Sequence, residues 1–143
     1  MTVPVWMLLG FAAWTVLLLL STVGVYRWSR ILTGRASIGN FPADQVEGED
    51  WYRRAMRAHA NCIENLPVFG AIVLALYVSD VAGTTVNYLS ISVLAARVIQ
   101  SLIHVCLVQT NTVVSIRFAF FFVQLASFLT LIVMVLRQAG LPS

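Results

Sequence analysis

No lysine occurs among the 143 residues, and charged side chains of every kind make up only 10% of them. A soluble domain normally carries about a quarter charged residues. So little charge leaves too little polar surface for water, which excludes a cytosolic globular enzyme, a disordered tail and a nucleic-acid-binding module. Cysteine is scarce too: Cys62 and Cys106 form no CxxC or Cys/His spacing and sit in apolar stretches, as small hydrophobes do. No metal site is expected. A phosphate-cradling glycine loop and a Ser/His/Asp set are also missing.

What the chain has in excess is apolar surface, with 59% hydrophobic residues and a mean hydropathy of +0.86. A bilayer span takes about 20 apolar residues, so four spans would use roughly 80 and leave about 60 for loops and ends. Four apolar runs are present, at about 3–26, 56–79, 86–108 and 114–136. The first lacks a basic n-region and a small-x-small cleavage site before Arg27, and it is too long for a signal-peptide core, so it reads as a retained helix. Trp6 and the Tyr26/Trp28 pair fall near its two interfaces. From Arg27 to about Ala55 the chain is polar and punctuated by Gly39, Pro42 and Gly48, a loop signature. Asp80 and Gly83 mark a short turn, and Gln109 to Thr112 a polar link. The expected fold is all-α, a single domain over residues 1–143 forming an integral-membrane four-helix bundle.

Arginine placement gives the expected sidedness. The first loop and its flanks carry Arg27, Arg30, Arg35, Arg53, Arg54 and Arg57, whereas the N-terminus and the second loop carry none. The positive-inside rule puts that loop in the cytoplasm and both termini outside.

Charges within the spans carry the functional information, because each costs at least about 2.5–3.5 kcal/mol to insert and normally faces protein or water. Arg57, Asn61 and Glu64 recur at i, i+4 and i+7, so they share one stripe of the second helix, with Pro67 following. Arg97, Gln100 or Ser101, and His104 repeat the spacing on the third helix, and Arg117 stands in the first turns of the fourth. The stripes are expected to converge on one pocket open to the cytoplasm. Pairing of Glu64 with an arginine as polar glue between helices is the plain alternative. Three cations against one acid leave a positive surplus, however, and a ligand with more than one carboxylate would satisfy it, since guanidinium binds carboxylate bidentately. His104 reads equally as a helix-packing hydrogen bond or a ligand contact. His59 points away from the stripe and reads as structural. The loop acids, Asp44 among them, read first as solvated charges, with Asp44 otherwise an acid that orients a nearby arginine.

The segment RAMRAHANCIENLPVF, Arg54 to Phe69, resembles the signature of the MAPEG family, the membrane-associated proteins in eicosanoid and glutathione metabolism. Arg57, Ala58, His59, Asn61, Glu64 and Pro67 match its second-helix pattern in order, and the length, the four spans and the basic first loop agree. The chain looks like a bacterial-type, microsomal glutathione transferase-like member, which implies a bacterial inner-membrane location. The resemblance implies a homotrimer of four-helix subunits with glutathione, as co-substrate, bound between neighbours. It further implies a glutathione-dependent transferase or peroxidase acting on lipophilic electrophiles or hydroperoxides drawn from membrane lipid. By position, Arg57, Asn61, Glu64, Arg97 and Gln100 would bind glutathione, Arg117 would lie near the thiol with His104 as a second donor, and Asp44 would match a loop acid. Gln100 and His104 stand where the prostaglandin-synthase branch carries His and Tyr, and Phe118 follows Arg117 where a Ser can occur; these departures point away from prostaglandin synthesis. Two other classes remain open at this stage: a non-enzymatic membrane scaffold or lipid-binding member, and a small proton-coupled transporter cycling Glu64. The surplus of arginines around Glu64 weighs against the transporter.

Overall fold

The computed structural model describes residues 1–40 and 49–140 of the chain. Four helices are each long and apolar enough to cross a membrane: α1 (Val3–Leu32), α2 (Asp50–Val78), α3 (Thr84–Cys106) and α4 (Asn111–Ala139). The described residues contain no strand. This is a multi-pass, all-helical membrane protein, with exposed outer faces rich in residues such as Leu20, Leu74 and Phe122 that suit lipid contact.

Local chemistry sets the helix ends and the one irregularity. Within α1, Leu19–Gly24 winds as a π-helix, and the Ser21 and Thr22 hydroxyls donate to the Leu17 and Leu18 carbonyls at 2.7 and 2.5 Å. α2 runs unbroken through Pro67, whose missing N–H leaves one backbone carbonyl in the preceding turn without its partner. The link to α3 turns on positive φ at Asp80 and Gly83, 52° and 147°. The Arg54 Nε donates to the Val105 carbonyl at 3.3 Å, placing a cation on an end carbonyl of α3. At the start of α4 the Thr110 hydroxyl accepts from the Val113 N–H at 3.3 Å, an N-cap.

α2 and α3 occupy the middle, with α1 packed on both and α4 packed mainly on α3. Aromatic rings tie the layers: Phe11 and Phe69 lie 5.9 Å apart, Phe69 and Phe128 6.0 Å. Because the chain reverses at each turn, the C-terminal ends of α1 and α3 lie beside the N-terminal ends of α2 and α4. Arginines gather at that end. There Tyr26 stacks on Tyr52 at 3.9 Å, Arg27 Nε donates to the Tyr52 hydroxyl at 2.9 Å, and the Arg30 guanidinium lies 4.5 Å over the Tyr26 ring. These contacts carry α1 and α2 in helical form beyond their apolar runs, so 27–32 and 50–55 are helix where the sequence reads as loop.

Candidate functional site

The residues between α2, α3 and α4 enclose a cavity of about 210 Å³. Asn61, Glu64 and Asn65 reach it from α2, Arg97 and Gln100 from α3, and Val114, Arg117, Phe118 and Phe121 from α4. Each set keeps the three-and-four spacing of a single helix face. At 1.5 Å of rise per residue, Arg117 stands roughly 9 Å in from the arginine-rich end and Glu64 roughly 21 Å, so the cavity lies at membrane depth. One wall is polar. The other, Val114, Phe118 and Phe121, is apolar, and Phe118 is exposed on the outer face of α4.

The polar wall is held by a chain of side-chain hydrogen bonds. Arg97, only 1% exposed, donates from Nε to Gln124 Oε1 at 3.0 Å. Gln124 Nε2 donates to Gln100 Oε1 at 2.9 Å, and Gln100 Nε2 donates to the Arg117 carbonyl at 3.2 Å. Behind Arg97, its own carbonyl accepts from the Ser101 hydroxyl at 2.8 Å, and Ser101 Oγ lies 3.5 Å from Cys62 Sγ. The Arg97 guanidinium also lies 5.8 Å from the centre of the Phe11 ring.

Charge in the cavity is unbalanced. Glu64 is the one acid in the lining, against the two cations Arg97 and Arg117. Glu64 acts on Arg97 through space without an ion pair; among the described residues the pair within 4 Å is Arg30–Glu49, at 3.4 Å near the membrane edge. The Arg97 Nη2 and Arg117 Nε are buried without a hydrogen-bond partner. A buried charged donor left unsatisfied is costly, so these two atoms mark where an anionic acceptor would be stabilised.

Of the residues singled out from sequence, the structure brings Asn61, Glu64, Arg97, Gln100 and Arg117 to one cavity. Arg57 and His104 are not part of its lining. Arg57 is exposed on α2, two turns nearer the arginine-rich end, within electrostatic reach of Arg117. His104 is buried on α3 with Nε2 unpartnered, and Arg117, Arg57, Arg54 and Arg97 all act on it electrostatically. His59 meets the backbone of Thr15 on α1, away from the cavity. Asp44 lies outside the described residues. Sequence reasoning missed Gln124, which organises the polar wall. A signal was present: it is the single amide within the apolar run of α4 and follows Arg117 by seven residues, the same spacing that links Arg57 to Glu64. Asn65 and the apolar wall had no comparable signal.

The sequence model of the MAPEG family matches residues 4–137 of the chain. No curated protein and no solved structure matches it.

Proposed function

The chain belongs to the MAPEG family, and from that premise we propose that it is a membrane-bound, glutathione-dependent transferase or peroxidase acting on lipophilic electrophiles or hydroperoxides. The observation that carries the reading is the cavity itself: two arginines with unpartnered buried donors, one carboxylate, and an apolar wall beside them. Glutathione offers the complement, two carboxylates, one ammonium, amides and a thiol. In this reading Arg97 binds a glutathione carboxylate, with Arg57 contributing from the cavity's outer edge. Glu64 takes the ammonium, and Asn61 and Gln100 contact the peptide amides. Arg117 stands at the sulfur. His104 lies outside the cavity wall, so the sulfur's cation is Arg117 alone.

The chemistry follows from the cation. A cysteine-type thiol has an unperturbed pKa of about 8.5, so only a few per cent is thiolate at neutral pH. A guanidinium beside the sulfur stabilises the thiolate, and each unit of lowering is worth about 1.4 kcal/mol. The thiolate then attacks an electrophile that arrives along the apolar wall from the bilayer.

Assembly belongs to the same proposal. The cavity's 210 Å³ falls short of the roughly 300–1,000 Å³ of a typical ligand site. Glu64 and Arg57 are both exposed on α2, an expensive placement against lipid. A neighbouring subunit over this face would cover both and complete the pocket, which supports an oligomer, and the family resemblance makes that oligomer a homotrimer in this reading. The arginine-rich end is cytoplasmic in this reading, in a bacterial inner membrane with both termini outside.

Titrating glutathione into the purified, detergent-solubilised protein, with binding followed by calorimetry and thiolate by ultraviolet absorbance, tests the function. The protein is expected to bind glutathione and show thiolate at neutral pH. Arg117→Ala is expected to keep binding within several-fold while turnover of a generic electrophile falls about 100-fold, as on loss of one preorganised stabiliser. Absence of glutathione binding by the unsubstituted protein would remove the reading, and unchanged turnover by Arg117→Ala would remove Arg117 from the chemistry.

A further inference from the structure

The geometry points to Gln124 as the positioning residue that couples the two cavity arginines, a role that rests on the glutathione reading. Gln124 is 1% exposed and does not line the cavity. Its amide nonetheless has only one orientation open to it. The Arg97 Nε–H donates to its oxygen, so its nitrogen must face Gln100, where it donates to Oε1. Gln100 is thereby obliged to present its own nitrogen to the Arg117 carbonyl. One charged donor thus fixes the polarity of two successive amides, and the last donor lands on the backbone that carries the second cation. Every bond in the chain is buried or half-buried, where water does not compete and hydrogen bonds polarise one another.

The consequence is a fixed relation between the two guanidinium groups. With Nε committed to Gln124, Arg97 keeps Nη2 uncommitted. With its carbonyl held by Gln100, Arg117 is tied to α3 in addition to its own helix. Displacing Gln124 would free Arg97 to swing and uncouple α4 from α3 at the level of the sulfur. Gln124 touches neither ligand nor reacting atoms, so its effect passes through the arginines.

Two substitutions test this in the purified full chain. Gln124→Met keeps length and apolar volume but removes every hydrogen bond. Gln124→Glu keeps an acceptor for Arg97 but cannot donate to Gln100, so it breaks the chain at its middle and remains informative should the Met variant fail to fold. For both, wild-type helical content is checked by circular dichroism. Gln124→Met is expected to raise the pH midpoint of bound-glutathione thiolate by about one unit, a tenfold change in the equilibrium. Gln124→Glu is expected to weaken glutathione binding about tenfold, because the new carboxylate offsets the charge of Arg97. Gln100→Leu combined with Gln124→Met should be no worse than Gln100→Leu alone, which already loses both the chain and its own ligand contact, since one broken chain cannot be broken twice. Folded Gln124 variants with wild-type midpoint and affinity, or additive losses in the double variant, would overturn the coupling role. Glutathione binding by the unsubstituted protein in the same titration separates the failures: its absence would fell the glutathione reading and this role with it, whereas its presence beside silent variants would fell this role alone.

Discussion

Glu64 illustrates how much a single side chain in a membrane can say. An acid that lines the same cavity as Arg97 and Arg117 yet forms no ion pair within 4 Å is not simply polar glue, because glue would close the distance. Replacing it by Gln removes the charge and keeps the shape. Glu64→Gln is expected to raise the glutathione dissociation constant about tenfold, the loss of one charge-assisted contact of about 1.4 kcal/mol, measured by calorimetry; an equal constant would assign Glu64 to structure. The seven-residue stripes on α2 and α3 make Asn61, Glu64, Arg97 and Gln100 legible from sequence, since helical spacing fixes which residues share a face. Depth is less legible. His104 shares the face of Arg97 and Gln100 but lies a turn nearer the end of α3, where Arg54 holds the Val105 carbonyl, so it falls outside the cavity. Gln124 carries no charge, and an uncharged amide in an apolar helix attracts attention only once its partners are known.

The helices themselves could be read from hydropathy because four runs of suitable length leave no other arrangement in a bilayer. Their true ends could not. Apolar runs report where the lipid stops, and α1 and α2 continue past that limit because Tyr26, Tyr52 and Arg27 pack on one another across the pair. The π-helix at Leu19–Gly24 was equally invisible in composition. It brings a Cβ built on Gly24 within 3.3 Å of the Leu19 carbonyl oxygen, a backbone atom that cannot swing aside. Alanine there gains about 1 kcal/mol of helix propensity but meets an overpacking cost of about 1–3 kcal/mol. Gly24→Ala is therefore expected to lower the thermal unfolding midpoint by a few degrees, and a raised midpoint would show that the helix prefers ordinary winding at this point.

At the scale of the whole molecule, the two cysteines report on sidedness. Cys62 is buried and Cys106 exposed at the end of α3 that adjoins the arginine-rich face. A membrane-impermeant maleimide is expected to label the protein at Cys106 in inverted vesicles and not in intact cells; the reverse pattern, read by mass spectrometry, would invert the topology. The four-helix architecture was legible in the sequence because composition alone excludes a water-soluble surface. The assembly was not, since the residues that would meet a neighbour, Arg57 and Glu64, look the same in sequence whether they face a ligand, a subunit or each other.

The wall formed by Val114, Phe118 and Phe121 sets exposed apolar rings beside the cavity, on a face of α4 that suits contact with acyl chains. For a partner that dissolves in those chains, the quantity that governs encounter is its mole fraction in the leaflet. Under the glutathione reading, bulk molarity would matter only through the partition coefficient, which concentrates oily reactants before they reach the sulfur. Extra empty liposomes would then behave as a competitor, thinning the reactant over more area and slowing turnover although nothing had bound the protein.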